Sequence, residues 1–329
     1  MEEPATIAVV LDDLDGSLVL VTGGAGFIGR HLTRTLLGAG ASVRILDDLS
    51  NSTADSLHPD VDLRIGGIEE PLCRADALDD VDAVIHLAAM ASVPRCEAEP
   101  ERNALVNHLA AVELFRDAGA LQIPVVHAST AALYGVPTTP TISESHPIAP
   151  ISAYGEAKKN AEADLLVLPQ PTCALRLFNV YGPGQPADSP YSGVLTIFTD
   201  RLARGSPLTV HGDGGQTRDF VHVSDIARAF ALAAAELLVH GEASPASGRA
   251  LNVCTGVARS LNEITETLSE AVGGDCIIEH GSVRAGDIRH SVGQPDAIMA
   301  ALEWSPTADF RVCLTELMTI AQSSVPDPG

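Results

Sequence analysis

Short, nearly continuous apolar runs recur along the chain, separated by stretches with helical spacing. The runs are LVLVTGG from Leu18, VRILDD from Val43, AVIHLAA from Ala83, PVVHAST from Pro124 and CALRLFN from Cys173. Between them, residues 28–39, 104–118 and 154–167 place apolar side chains three and four positions apart, the period of an amphipathic helix. A strand without polar alternation must be covered on both faces, and the intervening helices can supply that cover. The pattern therefore predicts an α/β fold, a doubly wound parallel (Rossmann) sheet over residues 18–180.

After Tyr181 the texture changes. GPGQPADSPYSG is rich in turn formers, and the following segments lose the regular alternation. Residues 181–219 and 256–322 are expected to form a smaller, interleaved C-terminal substrate lobe. Residues 220–255 read as returning to the first domain, with a helix over 224–238 followed by the strand ALNVCTG. Residues 1–17 read as a poorly ordered acidic extension.

Charge narrows the partners. A formal net charge of -23 and a pI near 4.6 disfavour nucleic acid or an anionic membrane as partner, because both require concentrated positive potential. The six cysteines, at 73, 96, 173, 254, 276 and 313, show no zinc or disulfide spacing. The acidic start MEEPATIAVVLDDLDGS is unlike a signal peptide and no apolar run matches a membrane span, so a cytoplasmic location is expected.

TGGAGFIG follows the first strand and opens a helix. In that position Gly23, Gly26 and Gly29 permit a tight turn, close approach of backbone to a pyrophosphate, and close packing of helix on strand. The helix N-terminus then faces the phosphates with its partial positive charge. The second strand ends at Asp47 and Asp48, where a carboxylate meets the adenosine ribose and repels a 2′-phosphate. The cofactor expected is NAD, not NADP.

The chain holds only two lysines, adjacent in YGEAKKN. Tyr154 and Lys158 stand one helical turn apart and share a face. A phenol with a pKa near about 10 is a poor base at neutral pH; lowering it by about three units corresponds to about 4 kcal/mol. A nearby ammonium and a cationic nicotinamide ring would act in that direction, letting the tyrosine take and return a proton. Lys159 reads as a surface neighbour. The histidines lack an H-E-x-x-H arrangement, so no metal is expected.

With HLAA, ASTAALYG, RLFNVYGPGQ, GDGGQTRDFVHVSDIA and RAGDIRHS added in order, the chain resembles the extended short-chain dehydrogenase/reductases of the nucleotide-sugar epimerase/dehydratase group. It is most similar there to UDP-glucose 4-epimerases. The resemblance implies that Tyr154 is the acid/base, Lys158 its partner and Thr130 a hydrogen-bond donor to the sugar C4 oxygen. It places NAD against Gly23, Gly26, Phe27, Ile28, Gly29, Asp47, Asp48, Asn51, Ser52, Ile68, Leu87, Ala88, Ala89, Tyr154 and Lys158, with Asn107 a structural asparagine near the cofactor. It assigns Asn179, Arg218 and Arg284 to the nucleotide diphosphate, and a homodimer through a four-helix bundle formed by 104–118 and 154–167. One departure is Gly67, where relatives have an aspartate that meets adenine.

Relatives that eliminate water carry acidic residues just after the active-site hydroxyl; here Ala131 and Ala132 stand there. The expected reaction is therefore 4-epimerisation of a nucleotide-diphosphate hexose through a transient 4-keto sugar. No cation lies between Arg176 and Arg201 to pair with a uronate, which favours a neutral hexose. Ser291 matches a position where small residues admit a 2-acetamido group, so UDP-N-acetylglucosamine is a candidate beside UDP-glucose. A dTDP-linked or modified sugar, or a non-catalytic NAD-binding scaffold, are the alternatives.

Overall fold

A computed structural model describes residues 11–186, 193–274, 276–283 and 287–324. Among these, seven strands form one parallel sheet: β1 (Leu18–Thr22), β2 (Ser42–Asp47), β3 (Asp62–Ile65), β4 (Ala83–His86), β5 (Val125–Thr130), β6 (Thr172–Leu177) and, later in the chain, β11 (Arg249–Val253). Their order is β11-β6-β5-β4-β1-β2-β3. From β1 the chain winds outward to β3, then crosses back to β4 on the other side of β1. Such a reversal splays the connections apart and leaves a crevice at the carboxyl ends of β1 and β4.

Helices α1 (Phe27–Gly38), α2 (Pro71–Ala77), α3 (Val93–Ala98) and α4 (Pro100–Ala104) follow the early strands. The helix expected over 104–118 is built from α4, a π-helical turn over Leu105–Leu109, and α5 (Ala110–Ala120). Helix α6 (Ala153–Leu166) starts at Ser152, whose hydroxyl accepts the Gly155 N–H at 3.1 Å, a side-chain N-cap. Helices α5 and α6 pack on one face of the sheet and α1 on the other.

The smaller lobe gathers its own core from Tyr181, Leu195, Phe198, Ile264, Phe310 and Leu314. It contains β7 (Asn179–Tyr181), α7 (Val194–Ala203), β8 (Leu208–His211), β9 (Thr217–Arg218) and β10 (Phe220–His222). Helix α8 (Val223–His240) then re-enters the first domain beside α1, and β11 joins the sheet edge. Helix α8 is apolar nearly all round because it lies between the sheet, α1 and α10 (Asp296–Leu302). The remaining elements are β12 (Arg259–Ser260), α9 (Leu261–Val272), β13 (Ile278–Gly281), β14 (His290–Ser291) and α11 (Phe310–Ser323).

Two expectations need correction. Residues 11–17, read as part of an unordered extension, begin with a helical turn and bury Leu14 completely in the sheet's core. Burial of Leu14 and the backbone bonds from Gly16 to the Gly40 carbonyl and from Ser42 to the Ser17 carbonyl hold a segment whose acidic composition suggested otherwise. The segment after 256 is not all substrate lobe: Ile298, Leu302 and Trp304 join the core beneath the sheet, and the Trp304 indole N–H donates to the Asp225 carbonyl at 2.9 Å.

Beneath β6 lies a buried ion pair. Arg176 donates to Glu162 from Nη2 at 2.5 Å and from Nε at 3.1 Å, and to the Tyr134 hydroxyl at 2.7 Å; the Ser129 hydroxyl donates to the same carboxylate at 2.5 Å. Removing one partner strands a charge where water cannot reach it. Arg176→Met should cost about 3–5 kcal/mol in urea unfolding. Adding Glu162→Leu should recover a large part of that loss.

Candidate active site

The cleft at the crevice has a volume of about 580 Å³ and begins at the glycine loop. Gly23 has φ +70°, and a Cβ there would stand 2.6 Å from the Ala88 backbone nitrogen. A Cβ on Gly29 would stand 2.5 Å from Gly24 Cα. Gly26 caps α1, no acidic side chain occupies that helix's first turn, and a Cβ on Gly26 would meet only the Gly23 carbonyl before projecting into open space. This is a backbone cradle with a helix N-terminus at its floor, the arrangement that takes a pyrophosphate.

Asp47 joins the loop to the end of β2. Its Oδ2 accepts the Ala25 N–H at 3.0 Å, and its Oδ1 accepts the Leu49 N–H at 2.8 Å and faces the Ser52 hydroxyl at 3.4 Å. Asp48 is exposed and accepts both the N–H and the hydroxyl of Ser50. Both carboxylates line the cleft, as do Phe27, Ile28, Asn51 and Ser52, followed by Ile68 and by Leu87, Ala88 and Ala89 after β4. Asn107 does not line it. Its amide oxygen accepts the Met90 N–H at 2.8 Å and its amide nitrogen donates to the Met90 carbonyl at 3.0 Å, so it braces the wall from behind. The π turn that carries Asn107 also turns Val106 into the cleft, a use typical of such irregularities.

At the other end of the cleft stand Thr130, Tyr154 and Lys158. Burial pushes the Tyr154 phenol up to about 12, while a hydrogen bond from Thr130 pulls the other way. Thr130 also accepts the Ala132 N–H at 3.1 Å, which fixes its rotamer at the end of β5. Lys158 is 2% exposed and donates to the Ala128 carbonyl at 2.8 Å. Burial brings it down to about 8, opposed by the charges of Cys96 and Glu162. The ammonium expected to lower the phenol is thus engaged with backbone in this state, and burial dominates the tyrosine. Beneath Lys158, His86 and His127 stack with ring centroids 5.2 Å apart, and burial holds both well below the usual imidazole range.

Three further expected residues, Asn179, Arg218 and Ser291, lie in the second lobe, outside the cleft lining. Arg218 donates to Asp287 at 2.5 Å and pairs in register with Ser291, while Asn179 is exposed between two lining residues, Phe178 and Val180. Arg284 lies outside the described residues. The cleft also takes in Glu69, Arg95 and Arg102, which carry no motif and are assembled only by the fold, and Gln185, the last residue of RLFNVYGPGQ.

A single dinucleotide could run from Asp47 along the glycine cradle to the Tyr154 hydroxyl, so the residues fit NAD. Comparison with known proteins agrees. The model of the NAD dependent epimerase/dehydratase family matches residues 19–254. A UDP-glucose 4-epimerase of Mycolicibacterium smegmatis is 34% identical over 299 residues, covering 87% of this chain and 93% of that protein. Among solved structures, a UDP-N-acetylglucosamine 4-epimerase from Methanobrevibacter ruminantium, in complex with UDP-N-acetylmuramic acid, superposes with TM-score 0.87 at 31% identity and covers 94% of this chain and 100% of that one. A Thermus thermophilus UDP-glucose 4-epimerase complexed with NAD gives TM-score 0.83 at 31% identity, covering 94% and 100%. With its cradle, carboxylates and tyrosine–lysine pair in one cleft, this chain belongs to the NAD-dependent epimerase/dehydratase family.

Proposed function

We infer that the chain is an NAD-dependent nucleotide-sugar 4-epimerase acting on a UDP-hexose. The observation that carries the reading is the make-up of the Thr130 turn. After the hydroxyl at the end of β5 come Ala131 and Ala132, so the two positions that follow the hydroxyl beside Tyr154 offer no second acid or base, and Tyr134 at the end of the turn is buried against Asn252 and Arg176. Elimination of water or loss of a C6 group would need one. When bound, NAD supplies a hydride acceptor that gives the hydride back, and a cationic ring.

Tyr154 takes the proton of the sugar 4-hydroxyl as the C4 hydrogen departs, and returns it to the 4-keto oxygen after the sugar has turned its other face. Thr130 holds that oxygen through both half-reactions. Lys158 supplies a positive charge at this end of the cleft, since at about 8 its ammonium persists at neutral pH. A phenol near 12 is inert as a base, so added positive charge on cofactor binding is what would bring Tyr154 into range. Arg218 and Asn179 would hold the diphosphate from the second lobe, with Arg218 exchanging its Asp287 partner for phosphate oxygens.

The same reading includes a homodimer built on α5 and α6, where Leu105 and Leu109 on the preceding π turn are exposed. It also places the enzyme in the cytoplasm. All six cysteines are free, and among the described residues no helix is long and apolar enough to cross a membrane.

Purified enzyme should convert a UDP-hexose to its C4 epimer without added electron acceptor, read by NMR against a dTDP-hexose panel. A 4-keto-6-deoxy product would sink the assignment. Tyr154→Phe should lower the rate at least about a hundredfold; if the protein's biological activity survived that change, a scaffold role would gain instead.

Lys158→Met should abolish turnover yet stabilise the fold. The unfolded lysine keeps its proton up to about 10.5 and the folded one only to about 8. Below about 8 both forms are charged and burial of the ammonium costs stability in full, roughly 3 kcal/mol. Between the two values the unfolded chain binds more protons, so stability rises with pH. Denaturant unfolding should therefore show wild type weaker than Lys158→Met near neutrality, with the gap closing as pH climbs through that window.

Ser291→Tyr should selectively lose UDP-N-acetylglucosamine turnover while sparing UDP-glucose. Equal loss of both would show that Ser291 is not a gate.

A further inference from the structure

Past Asp47 the cleft ends on a wall formed by Gly66, Gly67, Ile68, Glu69 and Arg102. Gly67 is buried and has no side chain, yet the space above its Cα is filled. The Glu69 carboxylate lies there, with Oε2 inside van der Waals range of where a Cβ on Gly67 would sit. Its other oxygen, Oε1, is held at 2.7 Å by Arg102 Nη1. Arg102 comes from α4, far from Glu69 in sequence.

The carboxylate is therefore clamped at one oxygen and presents the other over bare backbone, with its side chain 22% exposed. The Gly67 N–H points elsewhere, donating to Glu70 Oε1 at 3.3 Å. Beside the buried apolar side chain of Ile68, the wall offers a fixed charged acceptor and no backbone N–H from Gly67. A dinucleotide with its pyrophosphate at the glycine cradle and its ribose at Asp47 would bring its base to this wall.

We propose that Glu69 selects the base of the cofactor: Oε2 accepts a hydrogen bond from the exocyclic amine of adenine, and Arg102 is a positioning residue that keeps the carboxylate over Gly67. The space that the glycine leaves open is thus occupied by an acceptor from the residue two positions further on. A charged acceptor strengthens the bond to an amine, whereas a 6-oxo purine would turn lone pairs toward it. The inference rests on the cofactor lying along this cleft and is independent of which sugar is epimerised.

Full-length protein freed of cofactor, titrated calorimetrically with NAD and with nicotinamide hypoxanthine dinucleotide, tests it. The second ligand has a 6-oxo group in place of the amine. Wild type should bind NAD at least about tenfold more tightly. Glu69→Gln has an amide that accepts from the amine or donates to the oxo group, and should bring the two affinities within about threefold. Equal binding by wild type, or a preference that Glu69→Gln leaves intact, overturns the proposal. Thermal unfolding without cofactor establishes that the variant is folded, and the wild-type comparison stands without any variant. If wild type bound neither dinucleotide, the placement of the cofactor would itself fall, and this inference with it.

Discussion

The architecture depends on one place where backbone meets backbone. At the carboxyl edge of the sheet the turn after β1 passes so close to the segment after β4 that a Cβ on Gly23 would stand 2.6 Å from the Ala88 nitrogen. Across the same turn a Cβ on Gly24 would meet the Ile45 side chain at 2.7 Å. Asp47 then ties β2 to the loop through the Ala25 N–H at 3.0 Å. Three strands converge on a few atoms because no side chain intervenes, and that convergence leaves the helix N-terminus bare toward the cleft. Any larger residue at Gly23 would push the β4 loop outward, and with it the wall that Asn107 braces through Met90.

The other end of the cleft is organised by buried charge. Lys158, Glu162 and Arg176 are each at most 5% exposed. Glu162 and Arg176 neutralise one another through a bidentate contact, with Ser129 and Tyr134 completing their hydrogen bonds. Lys158 has a backbone carbonyl for company, and burial lowers its affinity for the proton. His86 and His127 beneath it add no second charge, since burial keeps them neutral. A lysine held at the expense of stability, in a chain with eighteen arginines and one other lysine, is what a site needing a compact local cation would retain.

Two buried aspartates bind the lobes together. Asp219 receives the N–H groups of Thr255, Gly256 and Gly293 and the Thr255 hydroxyl, joining the end of β9 to segments after β11 and β14. Asp225, at the start of α8, receives the N–H groups of Thr307 and Ala308 and pairs with Arg228. Both belong to the motif GDGGQTRDFVHVSDIA, in which the family resemblance assigns Arg218 to the nucleotide diphosphate. The backbone of the same motif pairs Arg218 in register with Ser291.

The amino-acid sequence by itself determined what local pattern can carry. Apolar runs placed the sheet strands, the glycines placed the phosphate cradle, and the spacing of Tyr154 and Lys158 put both on one helical face, because these features depend on neighbours within a turn or a strand. It could not show that Leu14 belongs to the core, that Trp304 returns beneath the sheet, or that Asn107 supports the cofactor wall without lining it. Nor could it place the Glu69 carboxylate over Gly67 in the grip of Arg102, or show Lys158 engaged by Ala128. Each of these is a contact or a burial created by packing elements distant in the chain. Burial and Coulomb interaction depend on distance in space, and only the tertiary structure decides that distance.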